Sequence, residues 1–249
     1  MIIIPMAGLS SRFFKAGYTK PKYMLEAHGI SLFDHAVNSF RAYFKTETFL
    51  FIVRDAYDTF DFVENRIKAL GIISFHIVVL QEETRGQAET VYLGLQNLSM
   101  NDFEPITVFN IDTFRPNFQY PDLTQLGDGY LEVFQGSGDN WSFAKPKNSE
   151  STEVSETAEK RAISDLCCTG LYHFAHTKDF IEAFDFYTQL PPEMWDKNEL
   201  YIAPMYNYLI NNNKSIHYHL IKREEVIFCG VPSEYDDFKR ISFSNNKRI

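Results

Sequence analysis

Cysteine is scarce in this chain of 249 residues, which contains only Cys167, Cys168 and Cys229. Their positions match neither the spacing of a zinc site nor a disulfide framework. We therefore expect a fold that is held together by burial of apolar side chains rather than by cross-links. Three free thiols are compatible with a reducing compartment, which predicts a cytoplasmic protein.

Long apolar runs and an excess of positive charge are also missing. No stretch reaches the about 18 uninterrupted apolar residues that a membrane span needs. The opening Met-Ile-Ile-Ile-Pro lacks the basic start and extended apolar run of a signal peptide. The net charge is −9, whereas binding to nucleic-acid backbones or anionic membranes favours a basic surface. We expect neither partner, and the sequence leaves a homo-oligomer open.

Apolar residues make up 45% of the chain, enough for a substantial core. In the first half, short apolar runs alternate with segments that repeat apolar residues at helical spacing. The runs are nearly continuous, as expected for strands covered on both faces. This alternation predicts an α/β fold with a doubly wound, mostly parallel, Rossmann-like sheet. The predicted strands are 2–4, 48–53, 75–80 and 106–109, and the predicted helices are about 31–44, 60–70 and 88–95.

The second half is less regular. Residues 136–160 are rich in Ser, Glu, Thr and Lys, which predicts that part of this segment is a mobile loop. We also expect a final helix near 233–241 and a frayed tail over 242–249. The other predicted elements are strands at 130–135, 142–145 and 166–174, helices at 178–189 and 199–211, and a strand pair at 216–220 and 225–228.

Three polar loops follow predicted strands and should meet at one edge of the sheet: 5–22, 81–86 and 110–114. The first begins Ala7-Gly8-Leu9 and continues with Ser10 and Ser11. Such a loop can hold phosphate oxygens through its backbone N–H groups. It is followed by the cations Arg12 and Lys22, but it has no Gly-Lys-Ser/Thr and is not a P-loop. The spacing alone fits both a phosphate-binding loop and an ordinary turn between a strand and a helix.

The other two loops add further polar groups. Gln81 carries an amide that can both donate to and accept from a base edge. Gly86, at the start of a predicted helix, would let the backbone approach a ligand closely. Asp112 follows a buried strand, where a carboxylate is costly unless it binds something. A hard cation such as Mg²⁺ would satisfy it.

Together these segments resemble the signature of the sugar-1-phosphate and phosphocholine-type nucleotidyltransferases. That family opens with a strand, which is followed by Ala-Gly-x-Gly-Ser/Thr-Arg and later by Pro-Lys. The matching segments of this chain are residues 7–12, with the sequence Ala-Gly-Leu-Ser-Ser-Arg, and Pro21-Lys22. The resemblance implies that Arg12 and Lys22 are catalytic and act on the nucleotide phosphates. It implies that residues 7–11, Gln81 and Gly86 bind the nucleotide, and that Asp112 binds Mg²⁺. It covers about residues 1–238.

The resemblance extends to Glu159-Lys160 and to Thr169-Gly170-Leu171-Tyr172. It implies an acceptor-binding site with Lys160, Lys145, Gly170 and Glu199. We therefore expect one domain over 1–241, with a nucleotide-binding half at 1–128 and a smaller acceptor-binding half at 129–241.

This chain departs from the family at two positions. Ser10 stands where the family has Gly, and Phe228 stands where many members carry a second metal-binding Asp. Two explanations remain open for the second departure. Either one carboxylate with phosphate oxygens and water suffices for Mg²⁺, or a nearby acid such as Glu224 or Glu225 substitutes.

The activity that the resemblance implies is transfer of an NMP unit from an NTP to a phosphorylated acceptor, with release of pyrophosphate. The acceptor would be a sugar 1-phosphate or a phosphocholine-like group, and the product would serve capsule or surface glycans. Two alternatives remain: a metal-dependent glycosyltransferase that uses an NDP-sugar, and a non-catalytic nucleotide-binding domain. The sequence names neither the acceptor nor the base.

Overall fold

The computed structural model describes residues 1–99 and 101–241. Within these ranges the chain alternates strands with helices in its first half, and most of the later strands come before the last helices. The helices are α1 (Ser11–Lys15), α2 (Leu32–Asn38), α3 (Thr59–Leu70), α4 (Gln87–Gln96), α5 (Thr177–Gln189), α6 (Ile202–Asn211) and α7 (Pro232–Arg240). The strands are β1 (Ile2–Pro5), β2 (Glu26–Ala27), β3 (Ile30–Ser31), β4 (Thr48–Arg54), β5 (Ser74–Leu80), β6 (Ile106–Phe109), β7 (Thr113–Phe114), β8 (Gly129–Gln135), β9 (Ser142–Pro146), β10 (Val154–Glu159), β11 (Leu166–Phe174), β12 (Ile216–Ile221) and β13 (Ile227–Phe228).

The central sheet has nine strands in the described ranges, in the order β10-β9-β11-β6-β1-β4-β5, with β8 and β12 attached through β11. The pairs β6–β1, β1–β4 and β4–β5 are parallel, as is β8–β12. Strand β11 joins the parallel group β6-β1-β4-β5 to the remaining strands of the sheet through an antiparallel ladder with β6. This confirms the predicted α/β fold with a mostly parallel central sheet.

Two hydrophobic cores cover the two faces of the sheet. One lies under α4, α5 and α6 and includes Leu50, Ile52 and Tyr206. The other lies under α2, α3 and α7 and is rich in aromatic rings such as Phe33, Phe51 and Phe109. Because successive side chains of a strand point to opposite faces, neighbouring residues of β4 enter different cores. This explains why its sequence is an unbroken apolar run.

Local signals set where the helices begin and end. The hydroxyl of Ser31 accepts from the backbone N–H of Asp34, whose carboxylate accepts from the N–H of Ser31, so α2 begins with a capping box. Gly71 ends α3 with a φ of 79°, a conformation that glycine adopts readily.

The structure corrects several predicted boundaries. The predicted helix at 31–44 ends at Asn38, and a short 3₁₀ turn, Arg41–Tyr43, follows it. Within 136–160, where part of the segment was predicted to be a loop, Val154–Glu159 forms strand β10, which was not predicted and pairs with β9. The predicted pairing of 216–220 with 225–228 is wrong, since β12 pairs with β8 and β13 with β7. The predicted tail, 242–249, lies outside the described residues.

No helix in 1–99 or 101–241 is both long enough and apolar enough to cross a bilayer.

Candidate active site

Two adjoining cavities open where β1 and β6 end. The smaller has a volume of about 320 Å³ and lies against the loop after β1, the start of α4 and the end of β6. The larger has a volume of about 850 Å³ and continues towards α1, β9, β11 and the start of α7. They share Gly8, Leu9, Ser10, Lys22, Asn110, Asp112 and Glu199. Two of the three loops that the topology predicted to meet, 5–22 and 110–114, therefore meet here, and the third contributes Glu83, Thr84 and Gly86.

The loop after β1 is fixed by Ser10. This residue has a φ of 52°, the left-handed conformation that the family's glycine would adopt easily. Its hydroxyl accepts a hydrogen bond from the backbone N–H of Lys22, with an N–O distance of 3.1 Å. The serine therefore keeps the conformation expected of a glycine and also ties the first part of the motif to the second. Ala7 lines the smaller cavity, and Ser11 and Arg12 line the larger one.

Lys22 and Asp112 form an ion pair at the junction of the cavities. The ammonium nitrogen lies 2.5 Å from Oδ2 of the carboxylate, and both side chains are about one-fifth exposed (21% and 23%). Gly230 packs against the same oxygen of Asp112, since a Cβ at this glycine would lie only 3.1 Å from Oδ2. The pair places one cation and one carboxylate at the point where two ligands would meet.

The position of a second acid can be compared with the two cavities. Among the described residues, neither Glu224 nor Glu225 lines either cavity, so the structure does not bring these two acids to Asp112. Glu225 instead accepts from the backbone N–H of Lys222. Glu234 does line the larger cavity, but its carboxylate accepts from the N–H groups of Gly230 and Val231, at 2.8 and 3.2 Å, and so caps α7.

The donor set around Asp112 fits a magnesium ion that shares its ligands with a substrate. Mg²⁺ is commonly held by one or two carboxylates plus phosphate oxygens and waters. Asp112 supplies one partly exposed carboxylate that faces both cavities. No cluster of three or more His, Cys, Asp or Glu side chains occurs in the described part of the chain, so a cage built from protein alone is absent there.

Gly86 lines the smaller cavity, but its backbone also serves a contact within the protein. Its φ is 149°, and a Cβ there would lie 2.5 Å from the carbonyl oxygen of Leu200. Backbone bonds flank this contact: Leu200 N–H donates to Arg85, and Ala88 N–H donates to Leu200, at 2.9 and 2.8 Å. Glycine is therefore required for close packing of two loops. Gln81 is exposed at the end of β5 and is not among the residues that line the cavities.

Of the residues expected to bind the acceptor, Gly170 and Glu199 line the larger cavity, whereas Lys145 and Lys160 are not among its lining residues. Lys145 is exposed on β9, with its amine 3.9 Å from Glu156. Lys160 donates to the hydroxyl of Tyr201 and lies over its ring.

Glu159, next to Lys160, lines the larger cavity although sequence reasoning did not select it as a site residue. Burial raises the pKa of its carboxyl group, and the hydrogen bond from Ser142 opposes that shift. Tyr172 donates to the same Ser142 hydroxyl at 3.2 Å. The larger cavity therefore has a buried polar wall.

Aromatic rings form another part of the larger cavity. Trp141 and Phe228 line it with ring centroids 4.7 Å apart. Arg223 lies over Phe228, 5.0 Å from its centroid. Where many members of the family carry a metal-binding carboxylate, this chain therefore has an apolar ring that packs against a tryptophan.

Gln87 and Asn110 were also missed as site residues. The side-chain amide of Gln87 donates to Oδ1 of Asn110 at 2.5 Å, and both residues line the smaller cavity. A conspicuous sequence signal existed for Asn110 alone, as the first residue after β6.

Comparison with known proteins identifies this arrangement. The chain is 63% identical to a nucleoside-diphosphate-sugar pyrophosphorylase from Vibrio cholerae RC9, whose crystal structure it matches over 97% of this chain and 100% of that one, with a TM-score of 0.93. An inositol-1-phosphate CTP transferase from T. maritima shares 13% identity over 96% and 92% of the two chains, with a TM-score of 0.71. A UDP-glucose pyrophosphorylase from Acinetobacter baumanii shares 14% over 96% and 91%, with a TM-score of 0.64. No protein-family model matches the chain, and no curated protein matches it.

The fold and these relatives define a nucleotidyltransferase of the sugar-phosphate class. At 63% identity over nearly the whole chain, the protein belongs to the nucleoside-diphosphate-sugar pyrophosphorylase family.

Proposed function

We propose that the protein joins the NMP unit of an NTP to the phosphate of a phosphorylated small molecule and releases pyrophosphate. The observation that carries the proposal is the Lys22–Asp112 pair at the junction of two cavities, directly beside the loop that contains Gly8 and Ser10. One cavity would hold the nucleoside and the other the acceptor. Their phosphates would meet at the pair.

In the reaction, an oxygen of the acceptor phosphate attacks the α-phosphorus of the NTP. A new P–O bond forms, the bond to the bridging α–β oxygen breaks, and that oxygen leaves with pyrophosphate. Catalysis needs no covalent intermediate, because holding two anions in line and offsetting their charge supplies most of the rate. Lys22 would donate to the reacting phosphate, and Arg12 would bind the leaving phosphates through its planar guanidinium.

Charge balance supports a requirement for Mg²⁺. The larger cavity is lined by two cations, Arg12 and Lys22, and by four carboxylates. A nucleotide triphosphate and a phosphate monoester would add several negative charges to this lining. Asp112 would hold the ion together with phosphate oxygens, and the ion would supply Lewis-acid stabilisation of charge on the α-phosphate.

We assign the remaining roles by position. Residues 7–11 would hold the triphosphate through their backbone N–H groups, and Gly86 would border the nucleoside. Gly170 and Glu199 would contact the acceptor. Lys160 and Lys145 would reach an acceptor phosphate only if their side chains turned towards the larger cavity. Gln81 would likewise reach the base only if its side chain turned towards the smaller cavity.

The proposed division of the chain at 128/129 coincides with the start of β8 at Gly129. Residues 1–128 then carry the nucleotide-binding loops and 129–241 most of the acceptor cavity. We further propose that the enzyme acts in the cytoplasm and supplies an activated unit for a capsule or surface glycan.

The test is a screen of the four NTPs with Mg²⁺ against α-glucose 1-phosphate, myo-inositol 1-phosphate and phosphocholine, read by pyrophosphate release. We expect release that depends on both substrates and on the metal. Release of a nucleoside diphosphate from an NDP-sugar, without pyrophosphate from any NTP, would instead indicate a glycosyltransferase. Tight NTP binding without turnover would indicate a non-catalytic domain.

A further inference from the structure

The hydrogen bond between Gln87 and Asn110 spans the boundary of the two cavities. Gln87 is the first residue of α4 and lines only the smaller cavity, whereas Asn110 lines both. Neither residue carries charge, and both are half-buried. An amide pair at this junction can therefore select between ligands by hydrogen bonding, without changing the charge balance that the phosphates need.

Gln87 fixes the orientation of the Asn110 amide. Its Nε2 donates to Oδ1 of Asn110 at 2.5 Å, and a carbonyl oxygen is the group that can accept this bond. Rotating the Asn110 amide by half a turn would place two N–H donors against each other. The NH₂ group of Asn110 is therefore directed away from Gln87.

On that other side the amide meets Gly170. A Cβ at Gly170 would collide with Nδ2 of Asn110, and Gly170 has a φ of 94°. The backbone N–H of Asn110 also donates to the carbonyl of Gly170 at 3.0 Å. Because Gly170 lines the larger cavity, the NH₂ group lies at the wall of the acceptor cavity. It has no protein hydrogen-bond partner within residues 1–99 and 101–241.

We propose that Asn110 is a specificity-determining residue whose NH₂ group donates a hydrogen bond to a hydroxyl oxygen of the acceptor, and that Gln87 is the positioning residue that orients it. The inference rests on the proposed function and narrows its acceptor to a phosphorylated molecule that carries hydroxyl groups, such as a sugar or polyol phosphate. Beyond its phosphate, which the proposed function places at the Lys22–Asp112 pair, phosphocholine has no hydroxyl group that could accept this bond.

The experiment measures pyrophosphate release by the wild-type protein and by Asn110→Leu and Gln87→Leu, with the same NTPs and acceptors. We expect the wild type to prefer a hydroxylated acceptor. Asn110→Leu should raise the KM for that acceptor about 5- to 30-fold, the effect of losing a neutral hydrogen bond and leaving its partner unpaired. The KM for the NTP should not change. Gln87→Leu should raise the same KM by a smaller factor, because the amide remains but can rotate.

Two further variants serve as controls. Gln96→Leu is the same substitution as Gln87→Leu at the exposed end of α4 and should leave every KM unchanged. Asn110→Ser removes the amide without adding bulk against Gly170, so it should raise the KM for the acceptor as Asn110→Leu does; a rise in Asn110→Leu alone would assign the effect to disturbed packing. A wild type that prefers phosphocholine would overturn the proposal. So would a rise in the KM for the NTP alone, or an equal loss for every acceptor. Absence of pyrophosphate release with all pairs would refute the proposed function itself, and the role of Asn110 with it.

Discussion

Replacing Lys22 by alanine tests the assignment on which the proposed chemistry depends. The Lys22 ammonium lies 2.5 Å from Asp112 at the junction of the cavities, and its side chain is 21% exposed. A unit charge about 4 Å from another contributes about 4 kcal/mol at an effective dielectric constant of about 20. Water and Mg²⁺ supply part of this electrostatic stabilisation when the lysine is absent. We therefore expect kcat to fall by about 10²- to 10³-fold, as when a preorganised donor is removed from an active site.

Stability should respond much less. A partly exposed ion pair contributes at most about 1 kcal/mol, so the Tm of Lys22→Ala should stay close to that of the wild type. Loss of the ammonium also frees Asp112, so the Mg²⁺ concentration that gives half-maximal rate should fall. The measurements are pyrophosphate release at saturating substrates across a Mg²⁺ series, and a calorimetric melt. Lys20→Ala, an exposed lysine two residues earlier, is the matched control. A near-normal kcat in Lys22→Ala would refute the assigned role.

Three other substitutions probe the site and the fold. Asp112→Ala should abolish Mg²⁺-dependent pyrophosphate release, and an unchanged metal dependence would move the metal site elsewhere. Gly86→Ala should lower the free energy of unfolding by about 1–3 kcal/mol more than Gly17→Ala. Both glycines have a positive φ, but only at Gly86 would a Cβ collide with the backbone of Leu200. Equal losses in urea melts would contradict the packing argument. Burial lowers the pKa of His173 to about 4, below the 6.5 of an unfolded histidine. Between pH 6.5 and 4 the unfolded chain therefore binds a proton that the folded chain does not, so the free energy of unfolding should fall as the pH drops through this range. His173→Gln should flatten that part of the curve, and an unaltered pH dependence would assign it to another group.

The unbroken apolar runs predicted the parallel part of the sheet because burial on both faces leaves a simple pattern. Strands β1, β4, β5 and β6 were all predicted within about one residue of their observed bounds. Strand β10 was missed because its sequence, Val-Ser-Glu-Thr-Ala-Glu, is mostly polar. Its place in the sheet comes from pairing with β9 and from packing against α6, which are tertiary interactions that no local pattern encodes.

The same division applies to the candidate site. Lys22 and Asp112 could be selected because each belongs to a motif with fixed spacing from a strand. Asn110 follows a strand directly, but its relevance depends on the bond to Gln87, which spans 23 positions. Gln87 and Trp141 lie outside the motifs, and Trp141 meets the ring of Phe228 only in the fold. Sequence motifs thus selected residues with a fixed place in the family signature, whereas the fold revealed cavity residues that depend on distant contacts.

The contact between Gly86 and Leu200 has a consequence for protein engineering. Gly86, before residue 128, packs without a side chain against the backbone of Leu200, after it. A replacement for residues 129–241 taken from a relative must therefore bring a matching backbone at this point. The antiparallel ladders β6–β11 and β7–β13 set the same requirement along four and two residue pairs. Chimaeras cut at 128/129 sever no strand, yet they inherit these three backbone interfaces, which no exchange of side chains can repair. Recombination within the family is therefore expected to succeed only between parents whose backbones superimpose at all three places.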